Sequence, residues 1–165
     1  MSGPDPLQPL SLAFADALHR TGLHGALRFL NGRTPHRFTG VYRYDGPMLR
    51  NVGLFDQFNP EQAQGDDAPI GNTFCSLVPR FGGALAFYEA RNDPRVSHIQ
   101  TPVVSYCGIQ LRDGNGVALG TLCHFDLKPC EPRTSDLQFL EMLGPLLQRT
   151  IMGFPTQGGP GDVSI

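Results

Sequence analysis

The 165-residue chain contains no tryptophan, no run of five like charges and no stretch of about 18 consecutive apolar residues. Without such a stretch, a membrane-spanning helix is not expected. The segment MSGPDPLQPLSLAF carries no Lys or Arg ahead of its apolar residues and no long apolar core, so it matches neither a signal peptide nor a membrane anchor. The expected location is the cytoplasm, with no membrane partner. Basic residues (13) nearly balance acidic ones (15), for a formal charge of -2, and they are scattered. Nothing here forms an electrostatic footprint for a phosphate backbone, so nucleic acid is not an expected partner. A glycine-rich phosphate loop of the Walker kind is missing as well. Only four cysteines occur, Cys75, Cys107, Cys123 and Cys130, and no two have the C-x2-C spacing of a zinc site. No metal is expected, and in a reducing compartment the thiols are expected to be free.

What is present is a globular composition, 40% hydrophobic and 17% charged, punctuated by 20 Gly and 15 Pro. The length fits one domain. Residues 1–9 hold three prolines, and residues 155–165 are Gly-rich and polar, so both are read as flexible ends around a folded body at 10–154. From Ser11 apolar residues recur at helical spacing, which predicts two helices, or one broken near Gly22, up to Asn31-Gly32. His36–Tyr44 alternates and is followed by Asp45-Gly46-Pro47 and a second run, Met48–Phe55, which predicts a β-hairpin. The polar residues 57–69 predict a loop, with or without one helical turn. Thr73–Val78 is an apolar segment ending at Pro79, and Ala84–Ala90 reads as a strand. Residues 103–112 and 117–125 flank Asp113-Gly114-Asn115-Gly116, the clearest hairpin signal of the chain. The last element starts with Thr134 or Ser135 as N-cap, carries Leu137, Leu140, Leu143, Leu147 and Ile151 on one stripe, and is kinked at Gly144-Pro145. The sum is an α+β layer architecture with an antiparallel sheet.

Several of these segments resemble the GAF domain family. Tyr106, Gly108 and Leu111 match its Tyr-x-Gly-x-x-Leu strand, and Gly120–Cys123 with Asp126 matches a Gly-Thr-Leu-Cys strand followed by Asp, a Pro-bearing loop and an amphipathic helix. GNTFCSLV resembles the family's segment in which a Cys follows an aromatic at the start of a pocket-facing helix. EARNDPRVSH resembles an Asp-x-x-x-Asp-Pro-Arg turn, with Glu89 in place of the first Asp. The resemblance spans Leu10 to Met152. It implies a GAF/PAS-like central antiparallel sheet of about five or six strands, helices packed on both faces and a pocket between sheet and covering helices. It also implies frequent homodimers through the terminal helices; Phe139, Leu146 and Phe154 lie off the main stripe, where they form a second apolar face or pack on the N-terminal helices.

The side chains placed to reach such a pocket are Tyr42, Tyr44, Phe55, Thr73, Phe74, Cys75, Tyr88, His98, Tyr106 and His124. Each aromatic has an alternative place in the core. Cys75 is a candidate redox thiol if a neighbour lowers its pKa, and otherwise a small buried apolar residue. Cys107 and Cys123 fall in core strands. The Cys123-His124 pair resembles a bilin-attachment dipeptide but stands in a strand rather than a helix, so no bilin is expected. Some GAF-like proteins reduce free methionine sulfoxide through a thiol after a His-Ile-Ala motif. Here the motif reads His98-Ile99-Gln100, and Thr101 stands where that thiol would be, so the reaction would need Cys75 or Cys107 instead. The Asn-Lys signature of cyclic-nucleotide-binding GAF domains is missing. The expected function is therefore a sensory module for an unidentified small molecule, not an enzyme, with no assigned catalytic residue or cofactor. It would signal through a homodimer or a separate signalling protein. The alternatives are a thiol-based redox sensor or reductase, and an interaction scaffold with a vestigial pocket.

Overall fold

A computed structural model of the chain describes residues 8–156. Of the flexible ends expected at 1–9 and 155–165, residues 1–7 and 157–165 lie outside the described residues. The long helix α1 runs Gln8–Asn31, starting ahead of the expected body, and is broken at Gly22, whose φ of 77° and ψ of -174° suit glycine alone. Phe14, Ala26, Leu27 and Leu30 form its buried stripe. At its end the buried Asn31 amide donates to the His36 carbonyl at 3.1 Å and the Thr39 hydroxyl at 2.9 Å, which turns the chain into the sheet.

Six strands follow, β1 (Phe38–Asp45), β2 (Met48–Asp56), β3 (Ala68–Pro69), β4 (Ala84–Phe87), β5 (Ser105–Arg112) and β6 (Ala118–Asp126). They form one antiparallel sheet in the order β3-β2-β1-β6-β5-β4. Both predicted hairpins are present. The β5–β6 hairpin closes on Asp113, whose carboxylate accepts from the Asn115 and Val117 amides at 2.8 and 2.9 Å, with Gly116 at φ 82°.

The apolar segment after Thr73 is helical, as the resemblance implies: a 3-10 helix, Phe74–Phe81, in which Pro79 offers no amide, and Thr73 caps it by accepting from the Ser76 amide at 3.3 Å. Several boundaries differ from the sequence reading. β4 stops at Phe87 rather than Ala90 because a short 3-10 turn, Ala90–Asn92, takes over. Residues 57–67 form no helix, and the predicted loop ends in β3. The final helical layer is α2 (Thr134–Leu143), a 3-10 turn (Gly144–Leu147) and α3 (Gln148–Met152), broken at Gly144-Pro145 as expected. Its N-cap is Arg133, not Thr134 or Ser135: the Asp136 carboxylate in the first turn accepts from the Arg133 amide at 2.9 Å.

The sheet separates two apolar layers. On one face α1, α2 and α3 pack against Val41, Cys107, Ile109, Leu111 and Leu122. On the other, the Phe74–Phe81 helix packs on Leu49, Leu85, Phe87, Tyr106 and Cys123. Strand alternation decides which residue sees which layer, and one irregularity changes the count. Val41 pairs with Gly53 and Tyr42 with Asn51, so Val52 is an extra residue in β2. From Gly53 onward, β2 residues therefore face opposite to where a regular strand would put them.

Candidate functional site

The second layer is incompletely filled and encloses a cavity of about 470 Å³. Its floor is the sheet. Tyr106 lies flat over Gly108, where an added Cβ would sit 2.5 Å from the phenol oxygen, and Tyr42 leans over Gly40, where a Cβ would lie 2.8 Å from its ring. These two glycines let aromatic rings lie along the sheet rather than stand up from it, which opens the space above and explains the Tyr-x-Gly spacing. Phe38 and Phe125, stacked at 4.8 Å, Phe74, Leu49 and Leu54 continue the wall. Gln62, Asp66, Asn72 and Gln100 form an exposed polar rim. Asp66 is the one charged residue of the lining, and no Lys, Arg or His faces the cavity among the described residues.

At the bottom stands a cluster of hydrogen-bonding groups. The Thr121 hydroxyl donates to the Cys75 sulfur at 3.1 Å, the Tyr106 hydroxyl lies 3.3 Å from it, and Cys123 also lines the cavity. Tyr44 stands behind the wall and donates to the Cys75 carbonyl at 2.7 Å, fixing the segment that carries this thiol. Burial pushes the Cys75 thiol up, but the donors gathered on its sulfur outweigh it and bring the group below the ordinary thiol value. Burial, reinforced by the Cys75 neighbour, raises Cys123 and Tyr106 instead. Of the two thiols, Cys75 therefore ionises first. Cys107 and Cys130 are outside the cavity; burial raises both, which leaves them less reactive. All four cysteines are free.

The cavity brings together Tyr42, Thr73, Phe74, Cys75 and Tyr106, and Tyr44 supports it from behind. Four other predicted residues are elsewhere. Phe55 is in the helix-side core, its ring 5.7 Å from that of His24, because the extra residue Val52 reverses the facing of β2. His124 is on the helix side too, since it alternates with the pocket-facing Cys123 and Phe125; its ring stacks on His36 at 5.9 Å and its Nδ1 meets the Thr39 hydroxyl at 2.7 Å. Tyr88 follows the end of β4 and is 51% exposed, its carbonyl held by the Cys130 amide. His98 is exposed beyond the Asp93-Pro94-Arg95 turn, which Arg95 ties to β4 by bonding both Asp93, at 2.7 Å, and the Ala86 carbonyl, at 3.2 Å. Sequence reasoning also missed Cys123 and Phe125 as pocket residues and Thr121 as the buried donor to Cys75, although their alternation in β6 signals a shared face. Asn51, buried beneath the rim and accepting from the Gly65 amide at 2.8 Å, carries no such signal.

Six antiparallel strands in this order, a helical layer on one face and a capped cavity on the other can be set beside known structures. The GAF domain of an Acinetobacter phosphoenolpyruvate-protein phosphotransferase superposes with a TM-score of 0.67 at 14% identity, covering 90% of this chain and 94% of that one. The fold is that of a GAF domain. Two free methionine-R-sulfoxide reductases share this GAF-like fold. That of Neisseria meningitidis, in complex with its substrate, gives a TM-score of 0.67 at 14% identity over 92% of this chain and 93% of that one. The type II enzyme of Thermoplasma acidophilum gives 0.65 at 16% identity over 87% and 98%. No protein-family model and no curated protein sequence matches the chain. Among the described residues, no group of three or more His, Cys, Asp or Glu gathers to hold a metal, and no helix is long and apolar enough to cross a membrane.

Proposed function

We propose that this chain is a small-molecule-binding regulatory domain whose cavity takes a neutral or cationic ligand with an apolar, aromatic body. The carrying observation is the cavity: about 470 Å³ lies within the size range of small-molecule sites, roughly 300–1,000 Å³, and its walls are rings and aliphatic groups beneath a polar rim. The charge of the lining supports the ligand class. With Asp66 as its one charged residue, the cavity disfavours phosphates and carboxylates and suits an amine held near the Tyr42 ring. Occupancy reaches the opposite face through β1 and β6. Tyr42 and Phe125 line the cavity, while Val41 and Leu122 of the same strands bear on the helices. A ligand that prefers one packing of that layer shifts its population and is read by a separate partner or a second copy.

Reduction of free methionine-R-sulfoxide is a second reading, favoured by the thiols in the cavity wall. Thr101, also in the lining, holds the place the resemblance gives to the reductase thiol, so this reading rests on Cys75. Native mass spectrometry of the full chain from a cell extract, before and after denaturation, tests the main proposal. A stoichiometric adduct released on denaturation is expected, and Val103→Trp, which fills the cavity, should abolish it. Absence of any adduct, together with no thermal shift across neutral and cationic aromatic compounds, would sink the ligand-binding reading. Loss of thiols on adding the free sulfoxide would instead favour the reductase.

A further inference from the structure

The thiol cluster at the cavity floor has a geometry that ligand binding does not use. Cys75 lies in the Phe74–Phe81 helix and Cys123 in the middle of β6, far apart in the chain, yet both line the cavity, and Thr121, bonded to the Cys75 sulfur, stands two residues from Cys123 in the same strand. The Cys75 sulfur also receives Thr121 at 3.1 Å, with Tyr106 at 3.3 Å. A buried apolar thiol needs no such set of donors; a sulfur that must carry negative charge does. The Cys123 thiol, a weak donor, gives its proton to the Gly40 carbonyl at 3.7 Å.

We propose that Cys75 and Cys123 are a dithiol oxidised by hydroperoxides that enter the cavity, Cys75 attacking and Cys123 resolving. The Cys75 thiolate attacks the distal peroxide oxygen; the O–O bond breaks, an alcohol or water leaves with the proton, and Cys75 becomes a sulfenic acid. The Cys123 thiol then attacks that sulfur, the S–S bond forms, the S–O bond breaks, and water leaves with the Cys123 proton. One hydroperoxide is reduced and two thiols are oxidised; an external dithiol reverses the step. The disulfide ties the Phe74–Phe81 helix to β6, so oxidation fixes the cavity wall against its floor. The inference is independent of which small molecule the cavity takes, because it needs only that a peroxide can enter.

The test uses the full chain, reduced, freed of reductant and given one equivalent of hydrogen peroxide, then blocked with N-ethylmaleimide in denaturant and digested without reduction. The expected product is a peptide pair linked through Cys75 and Cys123, reversible by dithiothreitol, with Cys107 and Cys130 carrying maleimide. In Cys123→Ser, a Cys75 sulfenic acid should be captured by dimedone, and in Cys75→Ser neither product should form. Thr121→Val placed in the Cys123→Ser chain keeps side-chain volume while removing one donor to Cys75. It should slow dimedone capture about ten-fold, the thiolate fraction lost per unit rise in pKa. Four maleimide-blocked cysteines after peroxide, linkage through Cys107 or Cys130, or an unchanged capture rate with Thr121→Val overturns the proposal.

Discussion

Single residues set the character of each face of the sheet. Gly108 is one: a methyl group there would press on the Tyr106 ring and lift its hydroxyl from Cys75. Gly108→Ala is expected to cost about 1–3 kcal/mol, the range for overpacking, read by urea unfolding. On the helix side, His36 and His124 are buried and stacked, and desolvation lowers them to about 4 and about 3 from an ordinary value of 6.5. In the unfolded chain they take up protons as the pH falls through 6.5, while in the folded chain they resist until those lower values. Stability from this source is therefore fully present above pH 6.5 and is lost as the pH falls toward 4, by on the order of 3 kcal/mol per histidine. His124→Asn, which retains a partner for Thr39 without a titrating ring, should roughly halve that decline in a pH series of unfolding curves.

At the scale of elements, breaks and irregularities decide where faces point. The break at Gly22 lets the second half of α1 bring Leu27 and Leu30 under the sheet. Gly22→Ala should cost about 1–3 kcal/mol, because no other residue takes that φ and ψ without strain; a thermal melt would show it, and an unchanged melting temperature would mean the two halves can realign. The extra residue in β2 works differently. It puts Val52 and Gly53 on the helix side together, so Leu54 reaches the cavity and Phe55 the core. Helix spacing in α1 and the Asp113–Gly116 turn are local signals and were legible in the sequence. A bulge depends on what the neighbouring strand presents, which local alternation does not reveal.

For the molecule as a whole, one face of the sheet carries the larger buried core and the other the apolar cavity, and residues of the two should respond differently to truncation. Leu140→Ala, in the fully buried helix-side core, is expected to cost about 2–5 kcal/mol. Val103→Ala, on the half-buried cavity wall, should fall within about 1 kcal/mol. Similar losses in paired urea titrations would mean that the cavity wall is part of the stabilising core. Phe139 belongs to that core within the chain, so of the apolar residues off the main stripe only Leu146, 38% exposed, and the half-buried Phe154 remain open to a partner.

The sequence by itself determined the main helices and both hairpins, their order and the α+β class, because turn chemistry and apolar periodicity are local and each segment carries its own. It also placed Tyr42, Phe74, Cys75 and Tyr106 in the segments that form the cavity. The tertiary structure alone decided that Phe55 and His124 turn to the helices. It alone brought Cys75 and Cys123 to one cavity and left the lining without cations. Those outcomes depend on strand register and on packing between segments distant in the chain, and neither is written in the spacing of any one of them.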